Sequence, residues 1–311
     1  MKIAVVGAGA VGAAVTTCLV HQGQAEHIVL IDTNTARAHA LALDLGHGTP
    51  LTPPVNLYAG NHDDAHNADL VLICAGRNER TGGATDRSDP QGRLRLLSHN
   101  ADLYRDLLPT LGQVAPTATY IVVTDPPDPL AQLARTLLGH DRILATGTLI
   151  DSLRFRMYLA RHFQVAPQDV HAQVIGEHGT SQVFLWSSAT VAGTLALELA
   201  HHTGTDPDHL RTQAEEHIRY ANITIIEGLG ASQYGIGTAV AALAQCVLRN
   251  ERRVLPVASY IDQYQVTLSL PSVVGTGGVE HVLHPPMSQG ENHNLHAGAQ
   301  ALRTATHHLH S

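Results

Sequence analysis

Short apolar runs alternate with amphipathic stretches through the first half of the chain. Ile3-Ala4-Val5-Val6 is continuously apolar, and Val11 to Val20 follows with helical spacing. The pair repeats as His27-Ile28-Val29-Leu30-Ile31 and then Thr35 to Leu45. A third run covers Asp69 to Cys74, and Leu94 to Leu111 reads as a long amphipathic helix. Thr119 to Thr124 and Arg142 to Thr146 give a fourth and a fifth run. Strands apolar on both faces and separated by helices predict a parallel sheet covered on both sides. From Ile150 onward the pattern changes to long helical stretches with a few alternating segments, such as Val266-Thr267-Leu268-Ser269-Leu270. The expected fold is therefore α/β: a Rossmann-type parallel-sheet domain over 1–148, followed by an α+β domain over 149–311.

Composition narrows the function classes. The chain has 311 residues, 44% hydrophobic and 15% charged, enough to bury a large core. Its formal net charge is −8 and it holds no basic tract, which argues against nucleic-acid binding by phosphate neutralisation. No stretch approaches a membrane span, and Met1-Lys2 leads into a glycine-interrupted run unlike a signal peptide. A soluble, cytoplasmic protein is expected, with no membrane partner. Cys18, Cys74 and Cys246 are odd in number and widely spaced, which fits a reducing compartment. His62 and His66 have helical spacing but lack a further ligand set, so no metal is expected.

Gly7-Ala8-Gly9-Ala10-Val11-Gly12 stands between the first apolar run and the first helical one. In that context GxGxxG allows a tight turn at Gly7, close backbone approach to a pyrophosphate at Gly9, and helix–strand packing at Gly12. Asp32 ends the second run about 20 residues past the motif, where a carboxylate accepts hydrogen bonds from a ribose and repels a 2′-phosphate. Together these predict NAD as the cofactor. A plain packing turn with a helix-capping Asp32 is the alternative.

The second half offers a proton donor. Asp151 and Arg154 fall three apart in Leu149 to Arg156, on one helical face. Val174-Ile175-Gly176-Glu177-His178-Gly179 presents one histidine between glycines after an apolar run. With 22 histidines in the chain, a lone one is more often structural. Reduction of a ketone by hydride, however, needs a proton donor that titrates near working pH, which is imidazole. A carboxylate behind it fixes the tautomer, and an arginine grips a substrate carboxylate through two parallel hydrogen bonds. That set beside a nicotinamide predicts a 2-hydroxy acid dehydrogenase.

With these motifs in order, the chain resembles the NAD-dependent L-lactate/malate dehydrogenase family, and is most similar to bacterial L-lactate dehydrogenases. The likeness runs through GAGAVG at 7–12, LID at 30–32, ALDLGHG at 42–48, VTDPPDPL at 123–130, IDSLRFR at 150–156, IGEHG at 175–179 and IIEGLGASQYGI at 225–236. It implies His178 as general acid/base, Asp151 as its orienting partner and Arg154 as the carboxylate clamp, acting on a small 2-oxo or 2-hydroxy acid. It implies that Gly7, Gly9, Val11, Gly12, Asp32, Arg37, Gly76, Val123, Thr124, Asp125 and Thr146 contact the cofactor. Ser232 falls where the family has a substrate-pocket threonine. Arg156 and His171 match positions that bind an activating sugar bisphosphate between subunits in some members. A homodimer or homotetramer is implied. Malate dehydrogenase, or an NAD-binding paralogue without turnover, are the rival expectations.

The match breaks twice at the substrate. The loop from Arg77 to Arg93 is roughly eight residues longer than its family counterpart, and long loops over active sites are often lids. Its polarising arginine is Arg93 on one alignment and Arg87 on another. The residue separating lactate from malate falls at Glu79, Arg80 or Arg87. Asp125 stands where the family has an asparagine that donates to the substrate, whereas an ionised Asp only accepts. Thr180, after Gly-Glu-His-Gly, replaces an aspartate.

Overall fold

The computed structural model describes residues 1–82, 84–87, 92–307 and 309; of Thr81, Gly92 and Arg93 it describes the backbone alone. Six parallel strands form the sheet of the first half: β1 (Lys2–Val6), β2 (His27–Ile31), β3 (Asn56–Gly60), β4 (Leu70–Ile73), β5 (Thr119–Val122) and β6 (Ile143–Ala145). Their order is β3-β2-β1-β4-β5-β6, with Val5 opposite Leu30 on one side and Leu72 on the other. Between them run α1 (Ala10–Gln22), α2 (Thr35–Gly48), the single turn α3 (Glu79–Gly82), α4 (Leu97–Val114) and α5 (Pro127–Leu138).

Strand periodicity decides which helix covers which face. Ile3 and Val5 pack in one cluster with Val15 and Leu19 of α1. Ala4 and Val6, pointing the other way, pack with Tyr104 and Leu108 of α4. Both faces are buried, so each strand is apolar throughout. Local signals set the ends. α1 stops at Gly23, whose φ of 63° is left-handed, and Asn34 caps α2 by accepting from the Arg37 N–H.

The second half opens with α6 (Leu149–Phe163) and continues through the short strands β7 (Val170–His171), β8 (Val174–Ile175), β9 (Val183–Phe184), β10 (Thr190–Val191) and β11 (Thr194–Leu195). Helices α7 (Ala196–His202), α8 (Pro207–Arg219), α9 (Ala221–Leu229) and α10 (Tyr234–Leu248) follow, then β12 (Arg253–Ile261), β13 (Val266–Gly275), β14 (Gly278–Val282) and α11 (Gln289–His307). Phe155 anchors a separate core here, edge-on to Trp186 and Phe184.

Three features differ from the sequence expectation. β3 is an additional strand whose residues are half-buried or exposed; an edge strand with so few apolar positions gives no clear run. The sheet also continues past β6. β12 joins β6 through Ala258 opposite Ala145, and β13 and β14 extend it to nine strands. Helix α10 packs on α1, so the second half completes the core of the first. β13 is buried at every position, not on alternate ones.

Candidate active site

Strand order reverses between β1 and β4, and the crevice beyond their carboxyl ends is where open α/β sheets bind ligands. A cavity of about 280 Å³ lies there. Its first wall is the glycine-rich turn. Gly7 takes φ of 102°, and a Cβ on it would stand 2.5 Å from the Ala75 nitrogen. A Cβ on Gly12 would lie inside contact with the Gly7 carbonyl. A Cβ on Gly9 would meet nothing within 4 Å, so the turn leaves open space there. No side chain caps the start of α1, and its first N–H groups are those that hold phosphates in such turns. Asp32 ties this wall together: its carboxylate accepts from the Ala8 N–H at 2.7 Å and the Asn34 N–H at 2.7 Å. These residues fit a dinucleotide.

Gly9, Val11, Arg37, Gly76, Val123, Thr124, Asp125 and Thr146 line the cavity as one surface. Thr124 donates to the carbonyls of Ile73 and Ala75, at 3.1 and 2.7 Å, joining the ends of β4 and β5. Cys74 also lines it, and burial pushes that thiol up to about 12, so it stays protonated.

The opposite wall carries His178, Arg154 and Ser232, with Asp151 in the adjoining cleft. Asp151 lies in the first turn of α6, where the helix dipole favours a carboxylate. Its Oδ2 is 2.5 Å from His178 Nδ1 and its Oδ1 accepts from Arg154 Nη1 at 3.1 Å. Both His178 and Asp151 are buried. One carboxylate thus fixes an imidazole and a guanidinium at the same cavity. The His178 turn is pinned from below, since Gly176 and Ser269 of β13 exchange backbone hydrogen bonds at 2.8 and 2.9 Å. Asp125 stands across from this pair, its Oδ1 3.8 Å from His178 Nε2.

Three positions the sequence did not single out build or line the site. Asn100 of α4 is buried; it accepts from the Arg77 N–H at 2.8 Å and donates to the Asp125 carbonyl at 2.6 Å. It joins the root of the 77–93 loop to the turn after β5. Asp128 is fully buried beneath the histidine and accepts the His178 N–H at 2.7 Å, while its Oδ1 has no partner among the described residues. Asn222 of α9 is 5% exposed and, like His178, lines both this cavity and a neighbouring cleft. The readable signal for each of the three is a polar residue on an otherwise buried stripe.

The loop candidates separate. Glu79 lines the cavity. Arg80 is exposed and lines neither it nor the neighbouring cleft. Arg87 bonds Thr224 and Glu227 of α9 at 3.2 and 3.0 Å, and lines a smaller cleft behind His178. The side chain of Arg93 lies outside the described residues. The Thr180 carbonyl accepts from Arg219. Arg156 turns its guanidinium to the carbonyls of Val170 and Pro167, and shares with His171 a separate cavity of about 500 Å³. Neither reaches the His178 cavity.

Comparison with known proteins gives one family. Residues 1–142 match the NAD binding domain of lactate/malate dehydrogenase, and residues 148–310 match its alpha/beta C-terminal domain. The L-lactate dehydrogenase of Thermus aquaticus is 39% identical over 98% of both chains. That of Deinococcus radiodurans is 38% identical over 97% of both. Among solved structures, a lactate dehydrogenase from a deep-sea metagenome library superposes with a TM-score of 0.91 at 29% identity, covering 100% of this chain and 99% of that one. A minor L-lactate dehydrogenase from Enterococcus mundtii gives the same TM-score and identity, covering 99% and 98%.

Asp128 generates a test. Burial holds its carboxyl well above the usual carboxylate range, with the charges of Glu177, Asp125 and Asp151 adding to the rise against the opposing His178 N–H bond. A raised folded-state pKa means stabilisation that is complete below ~3.9 and is lost as pH rises through the folded value. Urea midpoints measured from pH 4 to 8 should therefore fall with pH in the wild type relative to Asp128→Asn. A difference between the two that is flat with pH would show Asp128 ionised throughout.

Proposed function

Because the chain belongs to the lactate/malate dehydrogenase family, we propose that the cavity around His178 reduces a small 2-oxo acid to its L-2-hydroxy acid. The protein is an NAD-dependent oxidoreductase of 2-hydroxy acids, similar to L-lactate dehydrogenase, built as a Rossmann sheet with an α/β second half. The observation that carries the residue assignment is the Asp151 carboxylate shared between His178 and Arg154. We divide the chain at 148, with the cofactor held by 1–148 and the substrate by 149–311.

The glycine-rich turn at 7–12 and Asp32 would hold NADH, which would supply the hydride for the carbonyl carbon. His178 gives the proton from Nε2 to the carbonyl oxygen as charge develops there. Asp151 keeps the other proton on Nδ1, sets the ring's direction and offsets the imidazolium charge. Arg154 grips the substrate carboxylate with its planar fork, which a lysine cannot reproduce. We assign the oxyanion-polarising role to Arg93, because Arg87 is engaged by Glu227 and Thr224. Asp32 supports NAD over its 2′-phosphorylated form, since a phosphate there would meet its carboxylate. Glu79 on the cavity wall would repel a second substrate carboxylate, which favours a monocarboxylic acid over malate.

The chain associates with copies of itself in this proposal. An apolar groove of about 980 Å³ runs between α6, α9 and α10, lined by Ile150, Leu153, Met157 and Ile225. Leu43 of α2 and Leu51 are 63% and 94% exposed, and such apolar surface marks an interface. No helix among the described residues is long and apolar enough to cross a membrane. Its three cysteines are free, which supports a reducing, cytoplasmic setting.

Two measurements test the assignment. His178→Asn should lower kcat for pyruvate reduction ~10²–10⁴-fold while the NADH dissociation constant, read by fluorescence, stays near the wild-type value. Activity retained in that variant would put the proton donor elsewhere. Asp125→Asn should raise kcat/KM for pyruvate by turning an acceptor beside the carbonyl oxygen into a donor. An unchanged kcat/KM would show that Asp125 does not face the substrate.

A further inference from the structure

Behind His178 lies a second, smaller cleft of about 50 Å³, walled by Asp151, Glu177, Gly179, Gln182, Arg219 and Ile223. It and the main cavity have two lining residues in common, His178 and Asn222. Asn222 thus borders both the cavity that holds His178 and Arg154 and the cleft behind them.

The charged groups of the cleft are already engaged. Asp151 serves His178 and Arg154. Glu177 accepts from the N–H and hydroxyl of Ser181. Arg219 donates to the Thr180 carbonyl, Arg87 holds Glu227, and Asp86 is partnered too. The amides of Asn222 and Gln182 remain. They are 5% and 7% exposed, and among the described residues neither side chain makes a hydrogen bond. Their polar atoms open onto the cleft, which both residues line, and so are free to hydrogen-bond a ligand or water there. A space of this size takes a hydroxyl-sized group, since a single water needs only about 10–15 Å³ measured in this way. Neutral amides both donate and accept, so they suit a neutral polar group better than an ion.

We propose that Asn222 is a specificity-determining residue that binds a neutral polar substituent on the carbon beside the substrate carbonyl, with Gln182 completing the polar pocket. The preferred substrates are then 2-oxo acids bearing a hydroxyl or carbonyl at that carbon. This rests on the dehydrogenase reading and adds its substrate class. A site built to hydrogen-bond a hydroxyl rejects the analogue that lacks it, because its own polar groups are then left bare.

The test is NADH oxidation with 3-hydroxypyruvate and 2-oxobutanoate, which exchange a hydroxyl for a methyl. The ratio of their kcat/KM values, hydroxyl over methyl, should fall at least about tenfold from wild type to Asn222→Ala, and also in Asn222→Leu. Gln182→Leu should lower it as well, which keeps the test open if an Asn222 variant fails to fold. Taking each variant relative to wild type cancels the intrinsic reactivity of the two acids. A ratio that none of the variants moves would overturn the role of Asn222 and leave the dehydrogenase reading standing. No oxidation of NADH by either acid or by pyruvate in the wild type would overturn both.

Discussion

Everything at this active site hangs on one carboxylate with two obligations. Asp151 sits in the first turn of α6 and spends one oxygen on His178 and the other on Arg154. Burying three ionisable groups together is favourable only when their geometry is well satisfied, and removing one member leaves an uncompensated charge. The rest of the second half reads as support for that geometry. β13 holds the Gly176–His178 turn, Asp128 holds its backbone from beneath, and the Phe155–Trp186–Phe184 core anchors the body of α6. In the proposed assignment, proton donor and carboxylate grip are thereby placed by one carboxylate, which fixes their spacing.

The first half supplies the other wall with equal economy of contacts. The switch in strand order opens the crevice, and the glycines remove side chains where a dinucleotide backbone must come close. Asp32 binds the turn it borders. Asn100 spans from the loop root at Arg77 to the Asp125 carbonyl, so the 77–93 loop and the turn after β5 share one anchor. Since α10 packs on α1 and β12 extends the sheet, the two halves share a continuous core.

Much of this was legible in the chain. Continuous apolar runs announced the parallel strands, and GxGxxG followed by Asp32 announced the cofactor wall. The Asp151–Arg154 spacing and the glycine-flanked His178 pointed to the chemistry, although nothing in the sequence put their atoms in contact. What stayed hidden shares a physical cause. β3 is an edge strand with little apolar content, and the β12–β14 extension depends on long-range pairing that periodicity does not encode. Asn100, Asp128 and Asn222 act through burial and direction, which a one-dimensional pattern does not carry. The gap-free alignment favoured Arg93 over Arg87, and the contact of Arg87 with Glu227 supports that preference.

The central claim is that Asp151 organises proton donor and carboxylate clamp together without taking part in cofactor binding. Steady-state kinetics and NADH fluorescence titration of Asp151→Asn test it most directly. The account predicts a fall in kcat/KM for the 2-oxo acid of ~10²-fold or more, divided between lower kcat and higher KM, with the NADH dissociation constant near that of the wild type. An enzyme that keeps its kcat/KM, or one that loses NADH binding in step with activity, would contradict it.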